Sequence, residues 1–316
     1  MSRLSFIVPF YNVEPYIEEC IRSLYDQDIP QEEYEVICVD DWSPDGSRAI
    51  VERLENEYPT LRLLVHTENK RQGGARNTGL REARGRYIWF VDSDDTIQKN
   101  CIGSMLRKAE EDQLDLLKFH FIREGEIPSK QLLSTNRVMT GTELIFDVEC
   151  ETSLLSRCNS AVQQLIRRDY LIESTLQFAE RVQYEDDDFA YQLYAYAKRV
   201  YLISKTPYII RQTPESTTRR QNDVQRIRDI YAQALRMAKL DAKLTQQDNR
   251  WHTMVYECIK DCINNCVFRM LKEQTTREQL YFWYEDRKQV NQLKPYLSHK
   301  SYMKLHSYVL WRLLQK

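Results

Sequence analysis

The amino-acid sequence predicts an α/β fold, a doubly wound sheet followed by a helical appendage, on three observations. Short runs of β-branched and aromatic residues alternate with amphipathic helical stretches through the first 121 residues. Two of those runs end in clusters of aspartate. All eight glycines precede residue 142, about 22 being the ordinary number for this length, and the glycine-free remainder reads mostly as helix. A chain of 316 residues is long enough for about two domains of ~150 residues. We place the boundary after residue 221, with 1–121 and 122–221 as the halves of the α/β domain and 222–316 as the helical region.

The elements follow in order. Leu4 to Val8, Val36 to Val39, Leu61 to Val65, Tyr87 to Val91 and Leu116 to Phe121 read as strands buried on both faces. Helical segments lie between them. Pro15 to Tyr25 presents Tyr16, Ile17, Cys20, Ile21 and Leu24; Ser47 to Tyr58 presents Ile50, Val51 and Leu54; Ala75 to Ala83 and Cys101 to Ala109 follow, with Gly85 read as closing the third helix. Strict alternation implies right-handed βαβ units and a parallel sheet, whose ligands bind beyond the carboxyl ends of the strands. Further on, Arg123 to Lys130 reads as a loop or hairpin, and Thr142 to Val148 and Asn159 to Leu171 as helices. Tyr184 to Tyr196 opens a helix with acidic residues in its first turn, Val200 to Ile203 and Pro207 to Arg211 are short strands, and helix dominates from Asn222.

Composition narrows the function. A net charge of -2, with 29% charged and 42% hydrophobic residues, disfavours a general polyanion binder, so no nucleic-acid partner is expected. The first residues, MSRLSFIVPFYN, lack a signal peptide's apolar core, and no run of ~18 apolar residues occurs. Eight cysteines without a C-x2-C pair fit reduced thiols in the cytoplasm. Cys258, Cys262 and Cys266 share one helical face and read as small buried hydrophobes rather than a metal site. The five histidines match no ligand spacing and read as structural. Gln289 to Lys316 has no acid but carries Lys294, Lys300, Lys304, Arg312 and Lys316 among aromatics. That pattern fits packing on the catalytic domain or in a homodimer better than peripheral contact with the inner membrane face.

The chemistry lies at the strand ends. Asp92-Ser93-Asp94 is an acid-x-acid pair suited to a hard divalent cation and a sugar hydroxyl; the alternative is a solvated turn with Asp95 capping the next helix. Asp40 and Asp41 end another strand, where a carboxylate can accept a base N–H or a ribose hydroxyl beside Pro9 and Tyr11. Asp45 or Ser47 there reads as a helix cap. Gly73 to Gly79 opens a helix whose N-terminus favours anions and whose Arg76 can reach a base or phosphate. It is neither a G-x-G-x-x-G fingerprint nor a P-loop.

Taken in order, VPFYN, VDDWSPDGS, GGARNTGL, FVDSDD, LIRRDYL and YEDDDF resemble the family 2 glycosyltransferases of the bacterial cell-surface glycan type, across residues 1–215. The resemblance implies a GT-A fold, Rossmann-like with a doubly wound mixed sheet. It implies an inverting hexosyl- or N-acetylhexosaminyl-transferase that uses Mn2+ or Mg2+. The donor would be a UDP- or GDP-linked nucleotide sugar, and the acceptor a saccharide or lipid-linked saccharide in polysaccharide biosynthesis. Carried over, Pro9, Tyr11, Asp40, Asp41, Arg76 and Ser93 would surround the nucleotide sugar, Asp92 would face ribose and metal, and Asp94 would be the principal metal ligand. Asp186 would be the general base, crowded by Glu185, Asp187 and Asp188, and Arg211 with Thr213 to Thr218 would close over the diphosphate. Where the family usually has Gly this chain has Trp42, read as buried in the sheet flank. Asn159 to Leu165 resembles the family's Trp-Asn-Lys-Leu pattern but carries Val162, Gln163 and Gln164, without the Lys, which leaves acceptor choice open. A catalytically silent nucleotide-sugar-binding or scaffold protein is the alternative. A sugar-phosphate nucleotidyltransferase is the weaker one, since Pro9 to Val13 lacks a glycine-rich loop.

Overall fold

The structure, a computed structural model, describes residues 2–127, 137–140, 160–213, 224–247 and 293–296. The chain divides into two compact units, Met1–Ser216 and Thr217–Lys316. In the first unit β1 (Leu4–Phe10), α1 (Ile17–Tyr25), β2 (Tyr34–Asp40), α2 (Ser47–Glu57), β3 (Leu61–Val65), α3 (Arg71–Glu82) and β4 (Tyr87–Phe90) alternate as the periodicity predicts. There follow β5 (Thr96–Ile97), α4 (Ile102–Glu111), β6 (Leu116–Lys118), β7 (Phe121–Arg123), β8 (Arg137–Thr140), β9 (Gln164–Arg167), α5 (Arg168–Glu173), α6 (Glu185–Tyr196), β10 (Arg199–Leu202) and β11 (Tyr208–Ile210).

Eight strands form a mixed sheet in the order β3-β2-β1-β4-β9-β6-β10-β8. All residues of β1 and β2 are buried, which is why both read as unbroken apolar runs rather than alternating ones. β1 pairs in parallel with β2, Phe10 opposite Asp40, and with β4, Leu4 opposite Tyr87. The chain builds β2 and β3 on one side of β1 and β4 on the other, so the order reverses at β1 and a crevice opens at the carboxyl ends. α1 buries Ile17, Cys20, Ile21 and Leu24 against this sheet, each worth ~1.5–3 kcal/mol where the side chain is large and apolar. α3 lies so close to β1 that a Cβ at Gly79 would stand 2.4 Å from Ile7 Cγ2.

Three expectations are corrected. Asn159 to Leu171 is not one helix: Ser160 Oγ accepts the Val162 N–H, a single 3-10 turn spans Ala161–Gln163, and the chain then extends as β9. β9 pairs antiparallel with β4, Ile88 opposite Ile166, and with β6, Leu117 opposite Leu165. Ala161, Val162, Leu165 and Ile166 are all buried, and their spacing suits a helix face as well as a strand enclosed on both sides. Leu116 to Phe121 is likewise two strands in two sheets, because the N–H groups of Phe119 and His120 go to Gln163 and Lys205 carbonyls between them. β7 joins a second, three-stranded sheet in the order β5-β11-β7. Gly85 is no helix cap: Ala83 holds that place, and a Cβ at Gly85 would meet the Leu4–Ser5 backbone at 2.4 Å.

The second unit contains α7 (Val224–Gln247) and a short turn, Lys294–Tyr296, in which the Tyr296 hydroxyl donates to Asp241 Oδ2 at 2.7 Å. Thr142 to Val148, the cysteines at 258, 262 and 266, and most of the basic stretch 289–316 lie outside the described residues. Among the described residues no helix is long and apolar enough to cross a membrane.

Candidate active site

The β2 end carries two acids that the protein itself satisfies. Asp40 is fully buried; its Oδ1 accepts the Ser43 N–H at 2.8 Å and its Oδ2 accepts Arg48 Nε at 2.7 Å. Asp41 Oδ1 accepts the Lys70 N–H at 2.8 Å and lies 2.8 Å from His66 Nδ1, while His66 Nε2 lies 2.9 Å from Thr78 Oγ1. Burial raises the Asp41 pKa above the ordinary carboxylate value, against these hydrogen bonds. The helix that follows is anchored by Ser47, whose Oγ accepts the Val13 N–H at 2.9 Å, and by Asp45, whose Oδ1 accepts the Ser47 N–H at 3.2 Å. Both acids are therefore fixed from behind, and the strand tips beside them are exposed.

The β4 end is different. Asp92 Oδ1 accepts Gln72 Nε2 and Arg76 Nη2, both at 2.8 Å, and the Asp92 carbonyl accepts the Asp95 N–H at 3.1 Å, closing a turn. Ser93 is buried within it. Asp94 takes no donor from another residue among the described ones, and burial, with the Asp92 charge second, pushes its carboxyl up to about 6. Asp95 does not cap α4, whose first flanking residue is Cys101. Instead its Oδ2 accepts the Tyr208 hydroxyl and its Oδ1 the Arg211 N–H, each at 2.8 Å. Burial, then the charges of Asp92 and Asp94, raises Asp95 well above an ordinary carboxylate.

α3 and α6 bring the third part. A Cβ at Gly73 would stand 2.3 Å from the Ala179 carbonyl, so only glycine lets α3 approach the segment that leads into α6. Asn77 exchanges hydrogen bonds with Phe178, Nδ2 to the carbonyl at 3.0 Å and the Phe178 N–H to Oδ1 at 2.9 Å. Phe178 stacks on Phe189 of α6 with centroids 3.7 Å apart, and the Arg76 guanidinium lies 5.1 Å above its ring. Arg76 is 1% exposed and serves three carboxylates: Nη2 donates to Asp92, and Nη1 donates to Glu185 at 2.8 Å and to Asp186. Burial alone would lower its pKa, but those carboxylates raise it, so the charge is permanent. Burial raises Glu185, with Asp186 adding to the shift; burial likewise raises Asp186, opposed by Arg76 and by the Ala161 N–H. The Asp186 side chain keeps 23% exposure, against 6% for Glu185, and is the member of the pair that a ligand can reach.

The remaining expected residues are placed as follows. Pro9 is buried within β1, and Tyr11, just past its end, is 48% exposed. Trp42 is 57% exposed at φ +71° rather than packed on the sheet flank, because the fixed Asp40–Ser43 turn points it outward. Arg211 is mostly buried, its Nη2 donating to Glu19 at 2.5 Å and its guanidinium over the Tyr16 ring at 5.4 Å. Of the segment after it, only Gln212 and Thr213 are described.

Residues 5–173 match the family model described as glycosyl transferase family 2. The chain belongs to glycosyl transferase family 2. Among its relatives, the Bacillus subtilis (strain 168) protein named uncharacterized glycosyltransferase EpsJ is 35% identical over 191 residues, 58% of this chain and 53% of that one. The poly(ribitol-phosphate) beta-glucosyltransferase of Bacillus spizizenii is 31% identical over 202 residues, 62% of this chain and 30% of that one. The chain thus spans about half, or less, of the length of these curated relatives. Among solved structures, S. aureus TarS 1–349 with UDP-GlcNAc superposes with a TM-score of 0.70 at 22% identity, covering 93% of this chain and 80% of that one. A Pyrobaculum calidifontis mannosyltransferase with GDP-Man and Mn2+ gives 0.54 at 17% identity, covering 98% and 85%. At these identities they show the shared GT-A fold.

Within this family 2 scaffold, the geometry reassigns one residue and adds three. Arg76 faces carboxylates inside the protein rather than open space for a base. His66, the Ala161 amide and Tyr208 support Asp41, Asp186 and the Asp92–Asp95 turn. Each is at least 24 positions from the acid it touches, so no local spacing could have exposed it.

Proposed function

We propose that the chain is an inverting, metal-dependent glycosyltransferase. It moves a sugar from a UDP- or GDP-linked donor to a saccharide or lipid-linked saccharide acceptor in cell-surface polysaccharide assembly. The observation that carries this is the unpartnered Asp94 beside Asp92, tied through the buried Arg76 to the accessible Asp186. The relatives support it by their named activities, and the neighbouring structures by the ligands they hold: UDP-GlcNAc in one, GDP-Man with Mn2+ in another.

A carboxylate pair with one member free of protein donors fits a hard divalent cation, which prefers oxygen ligands. Among the described residues no third His, Cys, Asp or Glu joins Asp92 and Asp94 in a cluster, so donor oxygens and water would complete the shell. Held by Asp92 and Asp94, such an ion would supply positive charge to offset that of the diphosphate leaving group. Tyr11, Asp40 and Asp41, beside Pro9, hold the base and ribose, the two acids being pre-set by Arg48 and His66. Arg211, whose N–H holds Asp95 and whose charge opposes the rise at Asp94, would add positive charge on the diphosphate side. Asp186 takes the proton from the acceptor hydroxyl as that oxygen attacks the face opposite the leaving group. Burial holds the proton affinity of Asp186 above that of a free carboxylate, and Arg76 opposes that rise.

Asp186→Asn tests the assignment. Transfer should fall about 10²–10⁴-fold, the range for a lost general base, while donor affinity measured by calorimetry with Mn2+ stays near wild type. Full turnover by that variant assigns the base elsewhere.

A further inference from the structure

The metal-holding turn is only four residues long, yet it is clamped from outside by a strand more than 100 positions downstream. The Tyr208 hydroxyl accepts the Asp92 N–H at 3.0 Å and donates to Asp95 Oδ2 at 2.8 Å, so one buried oxygen bridges the first and last residues of the turn. Asp95 Oδ1 then accepts the Arg211 N–H at 2.8 Å, from the residue that follows that strand. β11 is itself fastened to the chain leaving the turn, with Tyr208 opposite Ile97, Ile209 opposite Thr96, and the Gln98 N–H on the Pro207 carbonyl at 2.7 Å. Tyr208 is fully buried, so its hydroxyl touches no donor or acceptor substrate.

We propose that Tyr208 is a positioning residue for divalent-cation binding, holding Asp92 and Asp94 at the separation an ion requires. This rests on the reading of that pair as the metal site. The physical argument is that a short turn between two fixed points has little freedom left, and Asp94, with no donor from another residue among the described ones, takes its direction from its own backbone. Removing the bridge leaves the Asp92 N–H and one Asp95 oxygen without a partner in a buried place, and the turn relaxes to satisfy them. Asp94 then moves off the ion, while the base pair on α6 keeps its own support from Arg76.

The test is a Mn2+ titration by electron paramagnetic resonance, with and without UDP or GDP, on wild type, Tyr208→Phe and Tyr87→Phe. Tyr87 is the matched control: its buried hydroxyl donates to the Ala109 carbonyl at 2.6 Å, far from the turn in the fold. Tyr208→Phe should weaken Mn2+ binding about tenfold, the usual size of a lost supporting contact at a metal site, and raised Mn2+ should recover turnover. Tyr87→Phe should lose comparable thermal stability and bind Mn2+ as wild type does. Should Tyr208→Phe fail to fold, Asp95→Asn, which turns a donor toward the tyrosine oxygen, carries the same expectation. Wild-type Mn2+ affinity in a folded Tyr208→Phe or Asp95→Asn protein overturns the role given to Tyr208. A wild-type protein that binds no Mn2+ under any of these conditions instead overturns the metal reading on which it rests.

Discussion

The ends of β2 and β4 carry the same kind of residue and treat it in opposite ways. At β2 the counter-charges are distributed: Arg48, His66 and the N–H groups of Ser43 and Lys70 each take part of the load of Asp40 and Asp41. At β4 and α6 one guanidinium, Arg76, serves Asp92, Glu185 and Asp186, and Asp94 is left out altogether. Gathering carboxylates in a half-buried place is costly unless each is paired. The β2 end minimises that cost, its acids being settled by protein donors before any ligand arrives. The β4 end leaves part of it standing, which is what a site awaiting a cation and a proton looks like.

The largest expected effect comes from removing the shared guanidinium. Arg76→Gln strands three acids at once and should lower unfolding free energy by about 3–5 kcal/mol, the range for breaking a buried ion pair from one side. The matched change at β2, Arg48→Gln, removes a side chain that is 38% exposed and leaves Asp40 its Ser43 bond, so about 1 kcal/mol is expected. Urea unfolding measures both. Equal losses would erase the distinction between distributed and concentrated support.

Asp94→Asn should act in the reverse direction. Its carboxyl sits at about 6 in the folded chain, above the ~3.9 of an unfolded aspartate, so ionised Asp94 works against folding at neutral pH. The amide removes that penalty, for a gain of about 1 kcal/mol at pH 7.5 once solvent screening is allowed for. Below about pH 3, under the unfolded value, the aspartate is protonated in both states and the gain vanishes. Mn2+ binding should disappear at the same time, a stability gained by giving up function. A variant less stable than wild type at pH 7.5 would show that Asp94 is paired after all.

These contrasts explain which features were legible in the sequence. Alternating periods located β1 to β4 and their helices, and strand ends located Asp40, Asp41, Asp92 and Asp94, because both signals are local. The 159–171 segment was misread since a strand enclosed on both faces has no alternation to set it apart from a helix, and β9 exists only through partners at Ile88 and Leu117. Arg76 was visible as a residue at the start of a helix, but its three partners lie 16, 109 and 110 positions away. Among the described glycines close approach dominates: only Gly125 has a positive φ, while Gly73, Gly79 and Gly85 each admit a neighbouring backbone or side chain where a Cβ would collide.

The smallest effect probes the β2 end, where one feature departs from the settled pattern of its acids. Trp42 holds φ +71°, a conformation costing a non-glycine residue ~1–2 kcal/mol, with its indole 57% exposed and thus little burial to offset the cost. Trp42→Gly relieves that strain but adds ~0.5–1 kcal/mol of unfolded-chain entropy, so the net gain should be near 0.5 kcal/mol, a rise of ~1–2 °C in Tm. An aromatic ring kept exposed at such a cost, next to Asp41 and near the exposed Tyr11, is placed to stack on a flat ligand, and stacking on a base is worth ~1–3 kcal/mol. UDP affinity with Mn2+ should therefore weaken by about fivefold or more in the glycine variant. A Trp42→Gly protein that is both more stable and unchanged in nucleotide affinity would leave the strained indole without a task in donor binding.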